Sequence, residues 1–260
     1  MPTFKLVLAY EGTDFAGWQR QAKDRSVQAE LEAALAPIEG RHVTVSGAGR
    51  TDAGVHALGQ VASFSLTAAI SCRQLQRALN ATLREDVRVI SAEEAADGFN
   101  ARFSARSKTY RYRISNTPVI SPFHRRFALH ISRKLDLALM QEAAAELVGR
   151  HDFSAFRAAA RTTPRRTPVR TMTVSQWLEE PLAHGGRLLV YEIAGNGFLK
   201  YMVRNIVGTL IEVGDRKRSP MSMREILASR NRSAAGPTAP PHGLYLVRVD
   251  YDPAGPVSFL

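Results

Sequence analysis

Short alternating apolar runs and amphipathic helical runs succeed one another along this chain in one order, and the order occurs twice. FKLVLAY (Phe4–Tyr10) alternates and is β-prone, whereas SVQAELEAALAPI sets Val27, Leu31, Leu35 and Ile38 at helical spacing behind Ser26 as N-cap. HVTVS (His42–Ser46) reads as strand, QVASFSL (Gln60–Leu66) as strand, SCRQLQRALNATL as helix and DVRVIS (Asp86–Ser91) as strand. That is βαββαβ, the ferredoxin-like unit. Beyond a junction near FNARFSAR the order recurs: SKTYRYRIS (Ser107–Ser115) and RFALHI as strands, a helix from Asp136 to Val148, then VRTMTVSQWLE and RLLVYEIAG joined by the turn PLAHGG. The helix FLKYMVRNIVGTLIEVG and the strand LYLVRVDY complete it. The expected fold class is α+β, with two ferredoxin-like halves, residues 1–105 and 106–260, whose antiparallel sheets meet across a central cleft.

The 260 residues leave ample apolar material for a core, with 45% hydrophobic and 23% charged residues. The charge balance is less ordinary. Thirty-five Lys and Arg against 24 Asp and Glu give +11, the footprint of a phosphate-rich partner, and this basicity alone fits nucleic acid, anionic membrane or polyphosphate. The lone Cys72 excludes an internal disulfide or a cysteine-built metal site and points to a reducing compartment, the cytoplasm. With Leu75, Leu79 and Leu83 it forms an apolar stripe, so it reads as a small buried hydrophobe. No stretch has a cleavable leader pattern or reaches spanning length.

Between the second and third strands lies GAGRTDAGVH (Gly47–His56). Gly47 and Gly49 begin a G-x-G pattern, but the third glycine position holds Asp52, whose charge would oppose a pyrophosphate, and a β-prone run follows instead of a helix. The Gly-Lys-Ser/Thr ending of a phosphate loop is absent, His56 with Asp52 is one pair short of a metal site, and no second carboxylate is nominated for a glycosidase. What is left is a glycine-supported turn that presents Asp52, with Arg50 nearby to keep it ionised. Such a carboxylate serves as nucleophile or base, or only as the cap of its own Asx turn. Three other segments stand apart. The cationic, proline-broken run Arg157–Arg170 is a solvated surface or a phosphate grip, Ser233–Gly243 is a connector, and Gly12–Ser26 carries Trp18, either a stacking residue or a core lid.

GAGRTDAGVHALGQVASF, together with YEGTDFAGWQRQ, FNARFSARSKTYRYRI, HDFSAFR, GNGFLKYMVRNIVGTLIEVG and AGPTAPPHGLYLVRVDY, resembles the A-type tRNA pseudouridine synthases over nearly the whole chain and in that family's order. The resemblance implies isomerisation of uridine to pseudouridine at positions 38, 39 and 40 of the tRNA anticodon stem-loop, by a cytoplasmic homodimer whose subunits jointly hold one tRNA. It implies Asp52 as the essential catalytic aspartate, the nucleophile, Tyr110 as the tyrosine that contacts the target uracil, and Arg50 and Arg204 as arginines supporting the site, Arg204 through a salt bridge to Asp52. No cofactor and no metal are implied, because a C–N bond is exchanged for a C–C bond without redox change. Attack on C1', attack on C6 and removal of a sugar proton all remain open. The target base must leave its stack, which calls for a basic groove and an aromatic face.

If SKTYRYRIS is a strand, Lys108, Tyr110 and Tyr112 share one face, and core packing is the expectation for Tyr112. Arg204, among Met202, Val203, Ile206 and Val207, must reach water or a carboxylate. The family pattern has a histidine before the ARFSA block where this chain has Asn100, whose role stays open. A non-catalytic RNA-binding or chaperone module and a base-excising glycosylase are the competing functions.

Overall fold

The computed structural model describes residues 1–158, 167–182 and 185–251. It divides into two compact units, Met1–Lys108 with the chain from Leu246 onward, and Thr109–Tyr245. Both are mixed α+β, with antiparallel pairing predominant.

In the first unit β1 (Thr3–Tyr10) alternates strictly, so that Phe4, Leu6, Leu8 and Tyr10 are buried while Thr3, Lys5, Val7 and Ala9 stay half-open. Helix α1 (Val27–Glu39) follows, with Val27, Leu31 and Leu35 buried as their spacing requires. Ser26 stands at the N-cap as expected, but its side chain makes no cap hydrogen bond. Its hydroxyl is buried without a hydrogen bond, and the first helical amides, Val27 and Gln28, instead donate to the carbonyls of Gly17 and Trp18 at 3.3 and 3.0 Å. HVTVS supplies only a stub, β2 (Ser46–Gly47). Val43 and Val45 are buried as alternation predicts, yet α1 takes the backbone groups of Val45: Gln28 donates to its carbonyl at 3.1 Å and Glu32 accepts its N–H at 3.2 Å. Those groups are thus lost to a sheet ladder.

The third strand, β3 (His56–Ser65), starts four residues earlier than its apolar run, and α2 (Cys72–Thr82) opens with a capping box between Ser71 and Gln74. Leu75 and Leu79 are buried, but Cys72 is only half covered, which corrects the buried-hydrophobe expectation. With β4 (Val87–Ala95) the strands stand in the order β4-β1-β3, antiparallel, and β2 pairs with β3 at Ser46↔Ser63. Strand β5 (Ser107–Asn116) carries the chain into the second unit.

There RFALHI yields two residues, β6 (Leu129–His130), pairing parallel to β5. Helix α3 (Leu137–Ala145) is capped by Asp136, which accepts Leu139 N–H. Strand β7 (Gly149–Asp152) pairs with β8 (Val169–Pro181), and β8 pairs with β9 (Arg187–Gly195), from Met172↔Gly195 to Pro181↔Arg187. Of the basic loop, residues 159–166 lie outside the described residues, as do 183–184 of the hairpin turn. Helix α4 (Met202–Gly214) buries Met202, Val203, Ile206, Val207, Leu210 and Val213, and α5 (Ser222–Ser229) adds Met223, Ile226 and Leu227. Strand β10 (Leu244–Asp250) returns to the first unit.

Candidate active site

Polar residues that alternation alone would place in a core hold the Gly47–His56 loop. Ala48 N–H donates to the Val61 carbonyl at 2.7 Å, and the buried Gln60 amide donates to the Gly49 carbonyl at 2.8 Å. Tyr10, at the end of β1, shares a hydrogen bond of 2.8 Å between its hydroxyl and Thr51 Oγ1, with Gln60 at 3.4 Å. Burial pushes the Tyr10 hydroxyl up to about 12, so this bond is between neutral partners across the working pH range. From the Gly12–Ser26 loop, Trp18 N–H donates to the Thr51 carbonyl at 3.1 Å and Phe15 accepts Gly54 N–H at 3.3 Å. His56 accepts Gly12 N–H at Nδ1, 3.0 Å away, which leaves the proton of the neutral ring on Nε2.

Two glycines explain why the loop needs this composition. Gly54, at φ 76°, is the third residue of a turn closed by Val55 N–H to the Asp52 carbonyl at 3.2 Å, a conformation L-residues resist. Gly47 lies beneath the Trp18 indole: a Cβ there would stand 2.3 Å from Cε2. Trp18 is 2% exposed, so it is a core lid on this loop, and Gly47 makes room for the indole. On this structure Asp52 is half-buried and Arg50 is exposed. Gly49 is approached by Lys108, whose Cε lies 3.4 Å from where a Cβ would stand.

The loop that supplies Trp18 is itself fastened. Arg25 makes a two-pronged pair with Asp86 at 2.6 and 2.9 Å, contacts Glu30 at 2.8 Å, and stacks over Phe15 at 4.1 Å. The guanidinium holds the Asp86 carboxyl below its ordinary value.

The other two expected site residues belong to the second unit. Tyr110, on β5, is 7% exposed and meets the edge of Phe198 at 4.8 Å between centroids. Arg204, on the first turn of α4, lies 4.9 Å from the Tyr201 ring, and its Nε donates to the Ala239 carbonyl at 2.7 Å. One segment, Phe198–Tyr201, thus touches both. Tyr201 caps α4 from the left-handed region, φ 63°, a strain of about 1–3 kcal/mol for a non-glycine residue that the surrounding packing must hold in place. Tyr112, fully buried, packs in the core as its sequence reading holds, with its hydroxyl donating to the Pro240 carbonyl at 2.8 Å. Arg111, on the alternate face, pairs with Glu192 at 2.7 Å.

Sequence reasoning missed the supporting residues Tyr10, Thr51, Gln60, Phe198 and Tyr201. Gln60 inside an apolar alternating run was the available signal, since a buried amide requires partners. Among the described residues no group of three or more His, Cys, Asp or Glu is placed to hold a metal ion, and no helix is long and apolar enough to cross a membrane.

An α+β chain presenting one aspartate on an immobilised glycine loop has relatives. Residues 6–104 and 143–252 match the family model described as tRNA pseudouridine synthase, and the chain belongs to that family. It is similar to the protein named tRNA pseudouridine synthase A from Myxococcus xanthus, 44% identical over 254 residues that cover 96% of this chain and 92% of the other. The protein of that name from Afipia carboxidovorans is 46% identical over 252 residues, covering 96% and 100%, and that from Bacillus pumilus 44% over 250 residues, covering 95% and 98%.

Proposed function

We propose that this chain isomerises uridine to pseudouridine at positions 38, 39 and 40 of the tRNA anticodon stem-loop, with Asp52 acting on a flipped-out uridine. The reaction breaks C1'–N1, turns the uracil and forms C1'–C5; the hydrogen leaves C5 and N1 gains a proton, so nothing is added or lost. One carboxylate and a site that holds the detached base suffice. In this reading Tyr110 contacts the uracil, and Arg50 and Arg204 keep the carboxylate ionised and positioned. The two units act as ferredoxin-like halves, a reading supported in the first by the succession β1-α1-β2-β3-α2-β4 and the pairing β4-β1-β3-β2. The enzyme works as a cytoplasmic homodimer, and light scattering that finds only monomer at working concentration counts against that assembly.

The observation that carries the reading is the fixation of Gly47–His56 by Tyr10, Trp18, Gln60 and Gly12. A carboxylate on a loop so held is pre-positioned for chemistry, whereas a surface that only grips phosphate gains little from immobilising an acid. The net charge of +11 suits the RNA.

The test incubates the protein with unmodified tRNA transcript and maps pseudouridine by carbodiimide-blocked primer extension, with Asp52→Asn in parallel. A new stop in the anticodon arm, unchanged RNA mass and an inert variant that still binds tRNA are expected. A silent wild type, or an Asp52→Asn variant that still isomerises, overturns the assignment, and loss of a base would mark a glycosylase.

A further inference from the structure

Phe103, in the ARFSA block, is 72% exposed, and the turn that carries it is tied at every side. Asn100 builds that turn. Its side-chain oxygen accepts the N–H groups of Arg102 and Phe103 at 2.9 and 3.2 Å, its carbonyl accepts Ser104 N–H at 2.9 Å, and its own N–H donates to Ser104 Oγ at 3.1 Å. Ala101, fully buried, donates to Ser63 Oγ at 2.9 Å and accepts the Tyr251 hydroxyl at 2.8 Å. Upstream, Phe99 packs on Tyr251 with Lys5 over both rings, and downstream Arg106 N–H donates to the Asp250 carbonyl.

A scattered exposed phenylalanine is ordinary on a mobile surface. Here the backbone is held by these bonds while the ring is left in solvent. Beside it stands the exposed cation Arg102, whose guanidinium is 5.7 Å from the ring centroid. A rigid aromatic ring beside a guanidinium group, in a protein of charge +11, has the composition of a stacking platform for single-stranded nucleic acid. Strand β3 holds the Asp52 loop through Gln60 and Val61 and holds the Asn100 turn through Ser63, so both are anchored on one strand.

We propose that Phe103 stacks on an unpaired nucleobase of the same RNA, a base other than the uridine that reacts, and that Asn100 is the positioning residue that presents it. The inference rests on the RNA-modifying function proposed above, and its test separates the two. Affinity for unmodified tRNA transcript is measured at fixed salt alongside steady-state isomerisation for Phe103→Ala, Phe103→Leu and Phe103→Trp. Ala and Leu both weaken binding about tenfold, the loss falling on KM more than on kcat, because neither offers a π face. Trp restores affinity, and its emission is quenched by tRNA beyond any change in wild type, whose Trp18 and Trp177 are buried.

Wild-type affinity in the Leu variant would show that apolar packing and not stacking is involved, and wild-type affinity in the Ala variant removes the contact altogether. A fall in molar mass for Phe103→Ala in light scattering assigns the ring to a contact between copies. Each of these overturns the proposal. A wild type that binds tRNA yet makes no pseudouridine defeats the function reading alone, since affinity and quenching still report on Phe103.

Discussion

Replacing Thr51 with valine conserves shape and removes one hydroxyl from the support of the Asp52 loop. Tyr10 then keeps only the long contact to Gln60, 3.4 Å, while its hydroxyl stays buried. Stranding a buried hydroxyl costs about 1–3 kcal/mol. For a chain of this size that lowers Tm by about 2–12 °C. On the role proposed for Asp52, turnover should fall about tenfold or more, because the loop loses a fixed point one residue away and small misplacements of a reacting group are costly. Tyr10→Phe strands Thr51 Oγ1 in the same way. The double variant removes both partners and leaves two apolar surfaces of the same shape, so it should regain most of the stability that either single change loses. Thermal unfolding and single-turnover isomerisation of all four proteins give the cycle. Simple addition of the two losses would falsify the claim that this pair holds the loop.

Three further outcomes follow from the packing and the ionisation. Gly208→Ala should destabilise by about 1–3 kcal/mol in denaturant titration, because the new Cβ would stand 1.7 Å from the Pro237 carbonyl oxygen and α4 or the connector must move; wild-type stability would contradict that packing. Raising the Tyr10 pKa from 10.0 to about 12 contributes stability that is whole below pH 10 and lost as pH climbs through 12, so Tyr10→Phe should show a shallower alkaline decline in an unfolding series. Arg25 depresses the Asp86 carboxyl below 3.8, so its contribution is present above that pH and fades as pH falls beneath it; Asp86→Asn should flatten the acid limb at a cost of about 1 kcal/mol or less, given the pair's partial exposure.

Much of the fold was legible in the sequence because apolar period reports burial directly. The alternation of β1, the stripes of α1 and α2 and the strands of the β8–β9 hairpin all follow from it. Period does not report who takes the backbone hydrogen bonds. HVTVS alternates and buries its valines, yet α1 side chains bind Val45 and only Ser46–Gly47 pair as strand. Strand β7, GRHD, has no apolar alternation and exists through its backbone ladder to Val169–Met172, while α5 has eight residues and only three buried side chains to announce it.

At the candidate site, elimination reached Asp52 as a solitary carboxylate. Its supports come from positions 10, 18 and 60, far from it in sequence, and only tertiary structure reveals that they converge. The ambiguity over Trp18 resolves in the same way: its cover is Gly47, and a missing side chain leaves no mark in a hydrophobic pattern.

The first compact unit takes its last strand from the far end of the chain, since β10 supplies Leu246–Asp250 beside β3. Time enters here. During synthesis the first 108 residues emerge long before that strand is made, at about 5–20 residues per second, and until then the β3 edge has open backbone donors and acceptors. The loop that bears Asp52 leans on the same strand through Val61 and Gln60. Residues 1–108 alone therefore lack the strand that completes their sheet, and the second unit must be translated in full before the first can close.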